Sequence, residues 1–150
     1  MSSIKSKLNN ILFKKLVIHY KKINFIDGIL SGYINNGDKS IYYIEDGKKC
    51  TEEYLYLQYS ELCKQLYEDK EKSTNEIKNI LQYYSLLNNI NDEKQMFKLV
   101  DICQKISNKW LIKNKGETDM SIILNKFKEL GDEYYELSEE SKKLKEELVK

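Results

Sequence analysis

The stretch SGYINNGDKSIYYIEDGKKC, residues 31–50, is short, turn-rich and loaded with Tyr and Ile. Most of what surrounds it reads as long helices, so its folding decides whether the chain is purely helical. Asn36-Gly37 is the two-residue signature of a type I′ turn, because both residue types tolerate positive φ. That turn sets Asn35 opposite Asp38, Ile34 opposite Lys39 and Gly32 opposite Ile41. Leu30 then meets Tyr43 on one face, Ile29 meets Ile44 on the other, and Asp46-Gly47 ends the second strand. The expectation is a β-hairpin over about residues 29–45. A lone two-stranded hairpin is marginal in water, and this one is apolar on both faces. One face is therefore expected on a helical core and the other on a partner, with Tyr33, Tyr42 and Tyr43 as contact residues. Tyr suits that role because it combines large contact area with a polar tip.

On the N-terminal side, residues 4–22 read as a first helix. Ile4, Leu8, Ile11 and Ile18 share one side, and Leu12, Phe13 and Leu16 carry the apolar surface well round the cylinder, as in a helix buried on more than one face. On the C-terminal side, Thr51 is a candidate cap for a second helix with the stripe Leu55, Tyr59, Leu62, Cys63 and Leu66. The segment KEKSTNE (residues 70–76) offers a capping box, Ser73 to Glu76, and so predicts a break and a third helix. NNIND (residues 88–92) predicts the next break, with Asn91 or Asp92 as cap. A fourth helix follows with Met96, Val100, Cys103 and Trp110. NKGETD (residues 114–119) ends it, with Gly116 as a left-handed C-terminal residue.

The last helix, about 119–149, has the cleanest pattern. Met120, Ile123, Phe127, Leu130, Tyr134, Leu137, Ser141, Leu144 and Leu148 alternate steps of three and four, a narrow heptad seam held for four repeats. The predicted fold is mainly α: one domain over 1–150, about five helices with the hairpin inserted after the first, and a coiled-coil-like helix over 119–150 that projects. A narrow seam suits association, so Ile123, Phe127, Leu130, Tyr134, Leu137, Leu144 and Leu148 are predicted partner contacts. The partner is another protein, a second copy, or an antiparallel helix of the same chain.

Composition narrows the function classes. The 150 residues are 41% hydrophobic and 33% charged, which is globular and on the polar side. Pro, Ala and Arg are absent and all 25 basic residues are Lys, the mark of a very AT-rich genome. No run approaches the roughly 18 apolar residues of a membrane span. The net charge is +1, and residues 1–26 hold six Lys and no acid, which leaves −5 on the other 124. Those lysines, Lys5, Lys7, Lys14, Lys15, Lys21 and Lys22, are the candidate phosphate contacts if the chain binds nucleic acid. Without Arg there are no guanidinium forks for bidentate grip on phosphate or guanine.

The sequence offers little to catalysis. Cys50, Cys63, Cys103 and His19 lack the short spacings of structural zinc sites, so no metal is expected. His19 is the only His, and nothing in the sequence pairs it with a nucleophile. The adjacent carboxylates Glu52-Glu53, Asp132-Glu133 and Glu139-Glu140 read as solvated faces. The scattered glycines do not form a phosphate loop, and no cofactor is expected. An odd number of cysteines without paired spacing suits a reducing, cytoplasmic setting. The expected function is therefore a non-catalytic protein-binding helical module: an accessory subunit, adaptor or inhibitor of a larger machine. The alternative is a nucleic-acid-associated protein using the Lys-rich first helix, such as a phage or mobile-element protein acting on a host nucleic-acid enzyme.

Overall fold

The computed structural model describes residues 3–35, 44–45, 48–49, 52–113 and 120–149, with side chains over 3–27, 64–111 and 125–149. Four long helices carry it: α1 (Ile4–Asn35), α2 (Glu52–Leu87), α3 (Glu93–Lys113) and α4 (Met120–Val149). The predicted hairpin is not seen among the described residues. Residues 29–35, assigned to its first strand, are the last turns of α1. The described extended backbone is two dipeptides, β1 (Ile44–Glu45) and β2 (Lys48–Lys49), paired antiparallel with Ile44 opposite Lys49 and Glu45 opposite Lys48. The rest of the predicted hairpin, residues 36–43, lies outside the described residues.

The physical reason lies in helix propagation. Once a helix is nucleated, each added residue gains one backbone hydrogen bond. Gly28 and Gly32 oppose this by only about 1 kcal/mol each. Phe25 and Ile26 are buried, and the Asp27 carboxylate accepts from the Lys70 ammonium of α2, which anchors this part of α1.

The count of five helices is corrected as well. The predicted second and third helices are one, because α2 runs unbroken through KEKSTNE. No Gly or Pro interrupts it. Ser73 is buried, and the Thr74 hydroxyl donates to the Lys70 carbonyl one turn back at 2.9 Å, so both residue types are used inside the helix.

The breaks that do occur have identifiable stops and starts. Ser3 caps α1, its hydroxyl accepting from the Ser6 amide at 3.0 Å. α2 ends in a Schellman motif with Asn89 as the left-handed residue at φ 51°. The Ile90 amide donates to the Ser85 carbonyl at 2.9 Å, and the Asn89 amide to that of Leu86 at 3.4 Å. Asp92 caps α3 through the Lys94 amide at 2.9 Å.

α1 is the shared helix: α2, α3 and α4 each pack on it, and no two of them meet as extensively. Contacts give the directions. Asp27 meets Lys70 and Asn9 meets Asn88, so α2 runs antiparallel to α1. Asn24 meets Ser107 and Phe25 meets Trp110, with Asn9 already level with the end of α2, so α3 runs parallel to it. Phe25 stacks on Phe127 at 4.9 Å and His19 meets Tyr134, so α4 is antiparallel. Burial splits into two clusters on α1. Leu8, Ile11 and Ile18 pack with Leu130, Leu137 and Leu144 of α4. Leu12, Leu16 and Val17 pack with Ile77 and Ile80 of α2 and Cys103 of α3. A helix apolar well round its cylinder is thus explained by three neighbours. No described helix is long and apolar enough to cross a membrane.

Candidate partner-binding face

The heptad seam of α4 lies mostly on α1. Leu130, Leu137 and Leu144 are buried there, Tyr134 packs against the same cluster, and Phe127 is half-buried on Phe25. Ser141 is buried between them. Leu148 is 45% exposed. Ile123 lies in the first turns of α4 and Tyr33 in the last turn of α1, while Tyr42 and Tyr43 lie outside the described residues.

The six N-terminal lysines do not form one patch. Lys7, Lys14 and Lys21 recur every seven residues and share one side of α1. Lys15 and Lys22 repeat the same spacing roughly a quarter-turn away, and Lys5 points elsewhere again. Lys15 and Lys22 both stand over one aromatic ring: their ammoniums are 4.7 and 5.6 Å from the Tyr134 ring centroid. Burial pulls both below the ordinary lysine value. For Lys15 the nearby Lys145 adds to this and Glu76 opposes it; for Lys22 Asp69 opposes it. Lys21 stands 5.5 Å from the centroid of Trp110.

Beside this site sits His19, 4% exposed, its ring edge-on to Tyr134 at 4.6 Å. Neither imidazole nitrogen has a hydrogen-bond partner among the described residues. Burial, then the charges of Lys22 and Lys15, pull it down to about 4, so it is neutral at pH 7. Burial, followed by the Glu76 carboxylate, pushes the Tyr134 phenol up to about 12. A base near 4 and a phenol near 12, with neither imidazole nitrogen bonded to a nucleophile, are poorly placed for proton transfer at neutral pH. Cys103 is buried in the other cluster, and its thiol is pushed up to about 11 by burial. Among the described residues, no group of His, Cys, Asp or Glu is placed to hold a metal ion.

A further surface lies between α3 and α4. Going round α1, α4 borders α2, since Lys145 of α4 stands 4.4 Å from the Tyr83 ring centroid and Tyr134 faces Glu76. α2 borders α3 through the shared cluster. Between α3 and α4 one sector of α1 stays open among the described residues, with Lys7, Asn10 and Lys14 exposed. At one end of the sector Phe25 meets both Trp110, edge-on at 5.3 Å, and Phe127. No protein-family model matches the chain, and neither does any curated protein or solved structure.

Two walls flank the open sector. On α4, Glu129, Glu133, Glu136, Glu140 and Glu147 are all exposed. Their steps of four, three, four and seven set them on one side of the helix. The buried seam and the Lys145–Tyr83 contact fix the other sides, so this carboxylate rail borders the opening. On α3, Ile102 and Ile106 are 49% and 37% exposed, one turn apart, on the Trp110 side of the buried Cys103 and Ser107. Lys98, Lys105 and Lys109, all exposed, lie just beyond them. The sequence carried the rail as plain i, i+4, i+7 spacing. Reading adjacent acids as pairs, instead of reading along the helix, hides it.

Proposed function

We propose that the chain is a non-catalytic protein-binding module, and that it binds through the face between α3 and α4. The observation that supports this is the face between α3 and α4, with exposed Ile102 and Ile106 on its α3 border and the carboxylate rail on its α4 border. A surface with an apolar strip and a charged border has the make-up of an interface. The nucleic-acid reading gains no comparable support. Lys7 and Lys14 lie beside five carboxylates that repel a polyanion, and Lys15 and Lys22 are occupied with Tyr134.

Zero-length carboxyl–amine cross-linking in the native cell, read by mass spectrometry, tests the reading. Cross-links to protein lysines from Glu129, Glu133, Glu136 or Glu140 are the expected result. They should vanish in an Ile102→Glu, Ile106→Glu variant whose helicity is unchanged. Cross-links confined to other surfaces, or unaltered in that variant, refute it.

A further inference from the structure

We infer that the occupant of this face is a second copy of the chain, related by a two-fold axis that runs parallel to the helices. The inference rests on the protein-binding reading above and names its partner. One border of the face, on α3, is basic, and the other, on α4, is acidic. A two-fold axis along the helices lays the α3 border of each copy against the α4 border of the other, so opposite charges meet at both edges. A two-fold axis across the helices, in the plane of the face, sets like charges together instead. An isologous contact needs such self-complementarity.

The levels match as well. Asn24 meets Ser107 and Phe25 meets Trp110, which puts Lys105 at the level of Lys22 and Lys98 at the level of Lys15. Phe25 meets Phe127 and His19 meets Tyr134, which puts Glu129 near Ile23 and Glu136 near Leu16. A rotation about an axis parallel to the helices preserves level. Lys105 of each copy therefore stands opposite Glu129 of the other, and Lys98 opposite Glu136. Each pair of positions is seven residues apart, about 10.5 Å along its helix. Ile102 lies between the two lysines and meets its symmetry mate's surface within the charged frame. Lys105 now holds Asp101 of its own helix at 2.9 Å, an exposed pair that a better-placed carboxylate replaces easily.

Charge reversal tests this without touching the core. Purified chain is examined by sedimentation velocity over a concentration series at low and high salt. The wild type should dimerise, more weakly at high salt. Glu129→Lys with Glu136→Lys, and separately Lys98→Glu with Lys105→Glu, should each weaken dimerisation by about tenfold or more at low salt. Mixing the two variants, or joining all four changes in one chain, should restore it, because every edge is again opposite in sign. A monomeric wild type, dimers indifferent to either reversal, or reversed variants that fail to complement each other overturn the inference. If the wild type is monomeric while its rail carboxylates still cross-link to a different protein in the cell, the second copy is refuted and the protein-binding reading stands. If rail cross-links are absent too, both fall.

Discussion

Replacing His19 with Leu should make the protein more stable, and increasingly so as the pH falls. His19 is 4% exposed and neither nitrogen is hydrogen-bonded among the described residues. A buried polar group left unpaired costs about 1–3 kcal/mol. Leucine of similar volume removes that penalty and gives up one edge-on contact with Tyr134, worth about 0.5–1.5 kcal/mol. The net gain at pH 7.5 is about 1 kcal/mol, which is about 2–4 °C in Tm for a chain of this length. The pH dependence is the sharper test. The folded imidazole sits at about 4, below its ordinary 6.5. The unfolded chain therefore takes up the proton first as pH falls. His19 leaves stability untouched above about pH 6.5 and lowers it progressively from there to about 4. At 1.36 kcal/mol per unit, the loss reaches about 3 kcal/mol. Carboxylates add their own acid sensitivity, but equally to both proteins, so the difference between them isolates the imidazole. Urea melts of wild type and His19→Leu at pH 7.5, 6.0 and 5.0 measure it, and the gap should widen by about 1 kcal/mol or more between the first and last. A gap that stays constant with pH refutes the buried neutral imidazole. A leucine variant less stable than wild type by more than about 1 kcal/mol refutes the unpaired nitrogens.

Three further outcomes follow from the packing. Leu137→Ala should destabilise by about 2–4 kcal/mol, because Leu137 is buried in the α1–α4 cluster, whereas Leu148→Ala should change stability by less than about 0.5 kcal/mol; equal effects in chemical denaturation contradict the placement of α4. The amides of Asn9 and Asn88 donate to each other's carbonyls at 2.9 and 2.8 Å, so a double-mutant cycle to Ala should return a coupling of about 1–2 kcal/mol, and additive single effects speak against the paired amides. Cys103, at about 11 and buried, should label with a thiol reagent at pH 8 only as fast as the protein opens; peptide mapping that finds it modified at the rate of a free thiol contradicts its burial.

Helix existence and the α4 seam were legible because they rest on periodicity, and burial follows periodicity. Leu130, Leu137 and Leu144 fall on one seam by spacing alone, but spacing does not name the partner. That partner is the helix at the far end of the sequence, with Leu8, Ile11 and Ile18. The breadth of apolar surface on α1 was the complementary clue. The hairpin was misread because Asn36-Gly37 and the flanking Tyr and Ile are strong local signals, and local signals lose when a helix already anchored by Phe25, Ile26 and Asp27 continues past two glycines. Ser73 and Thr74 misled in the same way, since a cap residue and a residue turned into a helix interface look alike in sequence. The break at NNIND was legible, and the structure decides between its candidates in favour of Asp92. The open sector of α1 was not legible, because it depends on which three sides the other helices take.

A helix clothed by three others has a consequence for synthesis. α1 leaves the ribosome before the other three helices, and its coat arrives in instalments. α2 and α3 bring Ile77, Ile80 and Cys103 for one side of it. The other side, with Leu8, Ile11 and Ile18, stays bare until α4 delivers Leu130, Leu137 and Leu144 after both of those helices have been made. During that interval the nascent chain presents a sticky apolar strip, the kind of surface that chaperones hold and that joins neighbouring chains on a crowded polysome. Final folding therefore waits on the contact between α1 and α4, far apart in sequence, however quickly each helix forms on its own.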